Sequence, residues 1–298
     1  PVVTAGECIP MNITSRSVAA PEGVAAVRRE LRALLDYGRL ELPMLPEHAA
    51  RVVALAGQPH TDAAALAKLV AADQALAARV MKVARSAAYQ PSSPIESLQH
   101  AIAWLGLGEV ADIAFTAAVQ GRLLDVPGQR PRATRLWQVA VACAIWSREI
   151  AALVRRYSDA IYLCGLLHDI GKPVALLASA DLAGKLGVRL GDDDYDALVH
   201  EFHAPLGLLL AQRWRLPEAV AECIRHWPDP SAACAHTDVV RVVHLAHHVA
   251  ELVVAQGADV ARETLLKSDA VDQLHIGPDR LKALIDRADW VMGQVKAY

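Results

Sequence analysis

Aromatic side chains are scarce in this chain of 298 residues: they make up 5%, and only two of them are Phe. Sheets draw on aromatic and β-branched residues for cross-strand contacts, whereas Ala is the strongest helix former, and Ala occurs 56 times. This balance predicts an all-α chain. Cysteine is also sparse, with five residues and no CxxC pair, which excludes a disulfide framework. Charge of one sign is lacking too. Lys and Arg total 30 against 33 Asp and Glu, for a net charge of -3. Although 23 of the basic residues are Arg, no global basic field exists to grip phosphates, and general nucleic-acid binding is not expected. No uncharged apolar run reaches the roughly 18 residues that span a bilayer. The longest, Leu136 to Ser147, is closed by Arg135 and Arg148, so no membrane association is expected. Residues 1–20 lack a basic start followed by an apolar block, which makes the cytoplasm the expected location. With 54% hydrophobic and 21% charged residues, the chain has ample apolar surface for a core.

What the sequence does contain is a succession of helical periods, with no run of alternating strand residues and no fixed repeat. Residues 1–20 read as an extended arm. A first helical part spans 21–126: Val24, Val27, Leu31, Leu34 and Leu35 recur at helical spacing, and Leu42-Pro43-Met44-Leu45-Pro46 separates that helix from the next. Thr61 and Asp62 cap residues 63–71, Asp73 caps 74–86, a helix from Ser97 ends at Gly106, and another runs from 109 to 124. Asp125 to Pro131, with two Pro and a Gly, predicts a linker. The second part, 132–256, opens with a helix over 133–156 that is apolar on nearly every side and therefore central. Shorter helices follow over 160–168, 173–186, 204–215, 218–226 and 239–254, and 257–298 forms a helical extension. Trp104, Trp137 and Trp146 read as core. Asp192-Asp193-Asp194 reads as a solvated helix start, and Arg155-Arg156 and Arg213-Trp214-Arg215 read as packing by side-chain stems. Cys223, His226, Cys234 and His236 do not have the spacing of a zinc finger.

His168-Asp169 carries the sharpest chemical signal. Two adjacent donors at a buried helix end can hold one divalent ion, and Gly171 lets the backbone turn away. In the alternative, Asp169 caps the next turn and His168 is hydrogen-bonded in the core. Leu166-Leu167-His168-Asp169-Ile170-Gly171-Lys172 resembles the signature of the HD superfamily of metal-dependent phosphohydrolases. Leu42 to Pro46, Asp73-Gln74-Ala75-Leu76-Ala77-Ala78-Arg79-Val80 and Ser97 to Leu107 resemble, in order, the N-terminal half of the HDOD family, an HD-related output domain of bacterial signalling proteins. That resemblance spans roughly residues 40–255.

The resemblance implies an all-helical fold of two packed subdomains, the second a degenerate HD-like bundle. It also implies a metal centre from which ligands are missing. Val139 stands where a catalytic HD enzyme has a His ligand, and His247 stands where the closing Asp is usual. His203 and His226 match further His positions of the two-metal branch, but Trp227 takes the place of a second His there. The expected residue set for any ion is therefore His168, Asp169, His203, His226 and His247, with Val139 and Trp227 as lost positions. The expected function is a bacterial signal-transduction output or scaffold protein that binds signalling proteins without catalysis, with no cofactor or at most a divalent transition metal. The alternatives are a metal-dependent phosphohydrolase of nucleotides or cyclic dinucleotides and a nucleotide sensor that does not hydrolyse its ligand.

Overall fold

The computed structural model describes residues 20–298 except 45–46, 48–50, 53–54, 56–61, 87–88, 90, 92–93, 157 and 159, and only the backbone of residues 20–21. The expected arm and the cap at Thr61 lie outside the described residues. Among those described there is no strand, and the fold is all-α, as the composition predicts. The helices are α1 (Ala20–Asp36), α2 (Ala63–Ala71), α3 (Gln74–Ala84), α4 (Leu98–Leu105), α5 (Leu107–Leu123), α6 (Arg130–Val154), α7 (Ile161–Leu167), α8 (Gly171–Leu186), α9 (Asp192–Arg213), α10 (Glu218–His226), α11 (Thr237–Gln256), α12 (Ala258–Leu265), α13 (Asp269–Gln273), α14 (Pro278–Ile285) and α15 (Ala288–Ala297).

Local sequence sets several of these boundaries. Asp62 accepts from the Ala65 N–H at 2.7 Å, Asp73 from Ala75 and Leu76 at 2.9 and 3.1 Å, and Ser97 from His100 at 3.1 Å. Each satisfies donors that the first helical turn leaves free. Between α4 and α5 the chain bends by 108° at Gly106, whose φ of +84° is open to Gly and costly for other residues.

α6 is the central helix. Its buried residues run from Ala133 through Trp146 to Ala151, and α7, α11, α14 and α15 all pack on it. By length and composition the stretches Arg130–Val154 and Ile161–Leu186 could cross a membrane, with a mean hydropathy of 1.3 each, but 56% and 67% of their most apolar windows are buried inside the protein. Their apolar surface is thus used by the core. Arg135 and Arg148 interrupt the first stretch, which is why a count of uncharged residues passes over it.

Three elements differ from the sequence expectations. Trp104 is 42% exposed, so it is a surface residue of the short α4, while Trp137 and Trp146 are buried as expected. The chain from the acidic triplet onward is one helix: α9 runs from Asp192 through Pro205 to Arg213. Proline removes one ladder hydrogen bond, a loss that the close packing of α9 on α8 outweighs. α1 makes its main contacts with α8 and α9, where Arg28 and Arg32 both pair with Glu201. Trp214, at the end of α9, donates from its indole to the Pro43 carbonyl at 2.9 Å.

The closest approach positions the site. A Cβ on Gly171 would lie 1.7 Å from the His203 carbonyl oxygen, and Gly207 stands against the same glycine. Gly171 is therefore needed for contact between α8 and α9, not for a turn; its φ is not positive. The tail folds back over the core: α12 and α13 pack on α11, and α15 lies between α6 and α3. Buried Tyr298 donates to Glu109 at 2.9 Å.

Candidate functional site

α7 ends at Leu167, and His168 follows as its last helical-conformation residue, its N–H bonded to the Cys164 carbonyl at 3.0 Å. The short turn His168 to Ile170 then opens into α8. Apolar Ile161, Cys164, Leu166 and Leu167 anchor α7 in the core, so His168 is held at a buried helix end, only 1% exposed. Its Nδ1 lies 2.7 Å from the Gly165 carbonyl and its Nε2 2.8 Å from Nδ1 of His247 on α11. A carbonyl only accepts, so Nδ1 of His168 carries the proton and donates it to Gly165. Nε2 is then the acceptor for the His247 N–H. The other nitrogen of His247 faces Glu251, one turn on, at 3.5 Å. Burial and the neighbouring His247 hold the His168 imidazole well below its ordinary pKa, which keeps it neutral.

Asp169 points into the same space. Its Oδ2 is 2.5 Å from the Lys172 ammonium, while its Oδ1 is buried without a hydrogen-bond partner. Burial raises its pKa, and the Lys172 charge opposes this. Trp227 closes the site from the loop after α10: its ring centroid is 4.0 Å from that of His247 and 5.0 Å from that of His168. The Trp227 carbonyl in turn accepts from Nδ1 of His244 at 2.7 Å, which pins the loop to α11.

A cleft of about 550 Å³ opens over this centre. His168, Asp169, Lys172, His247 and Glu251 line its floor, with Val139, Leu136 and Ala140 of α6 as an apolar wall and Arg132 and Arg135 beside it. Arg132 is held by Asp192 at 3.2 Å and by Asp196.

Of the five sequence-predicted residues, the fold brings three together: the ligating atoms of His168, Asp169 and His247 lie within 4.8 Å of one another. His203 sits on α9 with its Nδ1 directed to the carbonyls of His200 and Val199 at 2.8 and 3.2 Å. It is not in the cluster. His226 faces Glu222 at 3.8 Å. Val139 lines the cleft over the centre, and Trp227 packs on the histidine rings. Cys223 is buried and Cys234 exposed; with His226 and His236 they form no ligand cluster among the described residues. Glu251, the partner of His247, is absent from the sequence-based set, although its i+4 spacing marks it as a neighbour on one helix face.

Two imidazoles and a carboxylate, one of whose oxygens is buried without a partner, form a donor set that fits one divalent transition ion with three protein ligands. They do not fit a pair of ions.

The HDOD domain model matches residues 42–230. The chain superposes on a provisionally named metal-dependent phosphohydrolase of Shewanella amazonensis with a TM-score of 0.72 at 21% identity, covering 92% of this chain and 99% of that one. It is also similar to a provisionally named signal-transduction protein of Marinobacter aquaeolei, with a TM-score of 0.65 at 24% identity over 92% of this chain and 66% of that one. A curated but uncharacterized protein of Treponema pallidum is 25% identical over 220 residues, 70% of this chain; the chain spans 42% of that relative's length. A match of the domain model over well more than half of the residues, carried on an all-helical fold with a His-Asp centre, shows that the chain belongs to the HDOD domain family.

Proposed function

We propose that this chain is a signal-transduction module that acts by binding, with the cleft as its small-ligand pocket, and that it does not hydrolyse phosphodiesters. The observation that carries this reading is Val139, which stands in the wall of the cleft beside His168 and Asp169, where the family resemblance implies a histidine ligand. An isopropyl group offers no lone pair. Hydrolysis at a metal centre needs an ion held firmly enough to acidify a bound water and to neutralise the phosphate. Here the ion would be held by His168, His247 and Asp169, and it would supply that Lewis acidity.

The chain's own groups work against such an ion. Nε2 of His168 already accepts a hydrogen bond from His247, and Asp169 is already paired with Lys172. Both interactions must yield before three ligands converge, so the centre is not preorganised for metal. What the cleft retains suits a binder: an apolar wall, polar groups of both signs in Arg132, Arg135 and Lys172 with Asp169, Asp196 and Glu251, and a volume in the range of small-molecule sites. Signalling proteins are the partners expected on the outer faces, and the name of the Marinobacter relative agrees with that role.

A second reading, a single-ion phosphohydrolase, is favoured by the unpartnered Oδ1 of Asp169. The two separate on incubation with nucleoside triphosphates and cyclic dinucleotides in the presence of manganese, iron or zinc. The binding reading expects every nucleotide to be recovered intact by chromatography, with at most one ion per chain by elemental analysis. Products accumulating with enzyme concentration would establish the second.

A further inference from the structure

A second cavity, of about 490 Å³, lies away from the His-Asp centre, where the first helical part meets the end of the chain. α3 supplies Arg79 and Lys82, α5 supplies Gln120, α6 supplies Thr134 and Gln138, and α15 supplies Lys296. Among the described residues no carboxylate side chain lines it. Three cations therefore share one groove whose described lining holds no Asp or Glu; buried Tyr298 completes the wall.

Arg79 is the anomalous group. Its side chain is half-buried, and its hydrogen bond, 2.7 Å long, goes to the neutral amide oxygen of Gln120. The comparable part-buried arginines of this protein are neutralised: Arg148 by Glu109 and Asp112, Arg132 by Asp192 and Asp196. Taking a guanidinium from water is costly unless an anion replaces the solvent, and burial does pull the Arg79 pKa downward. Lys82 spends one of its three donors on the backbone carbonyl of Lys296 at 3.0 Å. This places the ammonium at the mouth of the same groove with donors to spare.

We propose that this groove binds a phosphate-bearing small molecule, with Arg79, Lys82 and Lys296 neutralising its phosphate oxygens and Gln120, Thr134 and Gln138 offering neutral hydrogen bonds. Arg79 supplies the planar fork that suits phosphate, and the two lysines supply point charges. A single phosphate does not fill such a volume, so the remainder of the ligand occupies the rest of the groove. Bound there, it bridges α3 to α15. Trp137 of α6 lines this groove and also the cleft over His168, so one indole forms a wall common to both.

Isothermal titration of the full chain with inorganic pyrophosphate tests the proposal, with sodium chloride of matched ionic strength as the control. The expected result is saturable binding at one site per chain. It should weaken by about tenfold or more in Arg79→Gln and in Lys82→Gln, as expected for loss of a charge-assisted hydrogen bond, and remain unchanged in Lys267→Gln, an exposed lysine outside both cavities. Lys82 and Lys296 are exposed, so Lys82→Gln and Lys296→Gln keep the test valid should Arg79→Gln fold poorly. Absence of saturable binding would overturn the proposal. So would binding that is kept in both Arg79→Gln and Lys82→Gln.

Discussion

At Glu109 three segments of the chain meet on one carboxylate. Arg148 of α6 donates to it at 2.5 and 3.2 Å, Tyr298 donates at 2.9 Å, and Tyr89 donates from the loop before α4. Burial pushes the Glu109 pKa up, but the Arg148 charge and these hydrogen bonds outweigh it and hold the group below its ordinary range. Asp112, 3.2 Å from Arg148, goes the other way. Burial, only partly opposed by Arg148 and reinforced by the Glu109 charge, pushes it up to about 7. A carboxyl raised in the folded state binds protons more tightly than in the unfolded chain. Its contribution therefore falls as pH rises from its ordinary value to about 7, then levels off. Denaturant titrations between pH 4 and pH 8 should show that decline in wild type, and Asp112→Asn should remove it. An unchanged slope in Asp112→Asn would refute the assignment. Arg148→Ala should lower stability by about 3 kcal/mol, because it strands Glu109 in the interior. His168 and Asp169 are legible in the sequence because they are adjacent and lie at the end of an apolar run. The Glu109 network is not, because single charges spaced along α5 and α6 look like solvent-facing residues until the fold brings them together.

Among the elements, α8 and α9 show what periodicity cannot reach. Apolar spacing locates helices, and α5, α6 and α11 fall within a few residues of their predicted limits. The acidic triplet reads as a helix start, as it is, but the interior Pro205 resembles the start of a new helix, so the stretch between them is missing from the sequence reading. The crossing of these two helices depends on contact between backbones. Gly171→Ala would drive a methyl group into the His203 carbonyl. Overpacking of a well-packed contact costs about 1–3 kcal/mol, and here the obstacle is backbone, which places the loss at the upper end of that range. Gly184→Ala, on the same helix with open space around its Cβ position, should be neutral or slightly stabilising. Thermal unfolding of the two variants side by side checks the contrast, and equal midpoints would contradict it.

For the whole molecule, the tail completes the core. Leu281 of α14 is fully buried, and α14 packs on α6, so Leu281→Ala should destabilise the main unfolding transition by about 2–5 kcal/mol. A separate early transition with the main one unmoved would show that the tail melts by itself. The amphipathic pattern of 257–298 reveals helices but not the surface they cover, since apolar stripes do not name their partners. The same limit applies to the centre: the sequence supplies five candidate residues, and the fold assembles three of them with Lys172, Trp227 and Glu251 around them.

The central claim, a His-Asp centre that binds without hydrolysing, is tested most directly by initial rates of phosphodiester cleavage with manganese, iron or zinc, comparing wild type with His168→Ala and Asp169→Ala. The account predicts that all three match the buffer blank. Metal-dependent turnover by wild type that disappears in both variants, each shown to be folded by circular dichroism, would contradict it.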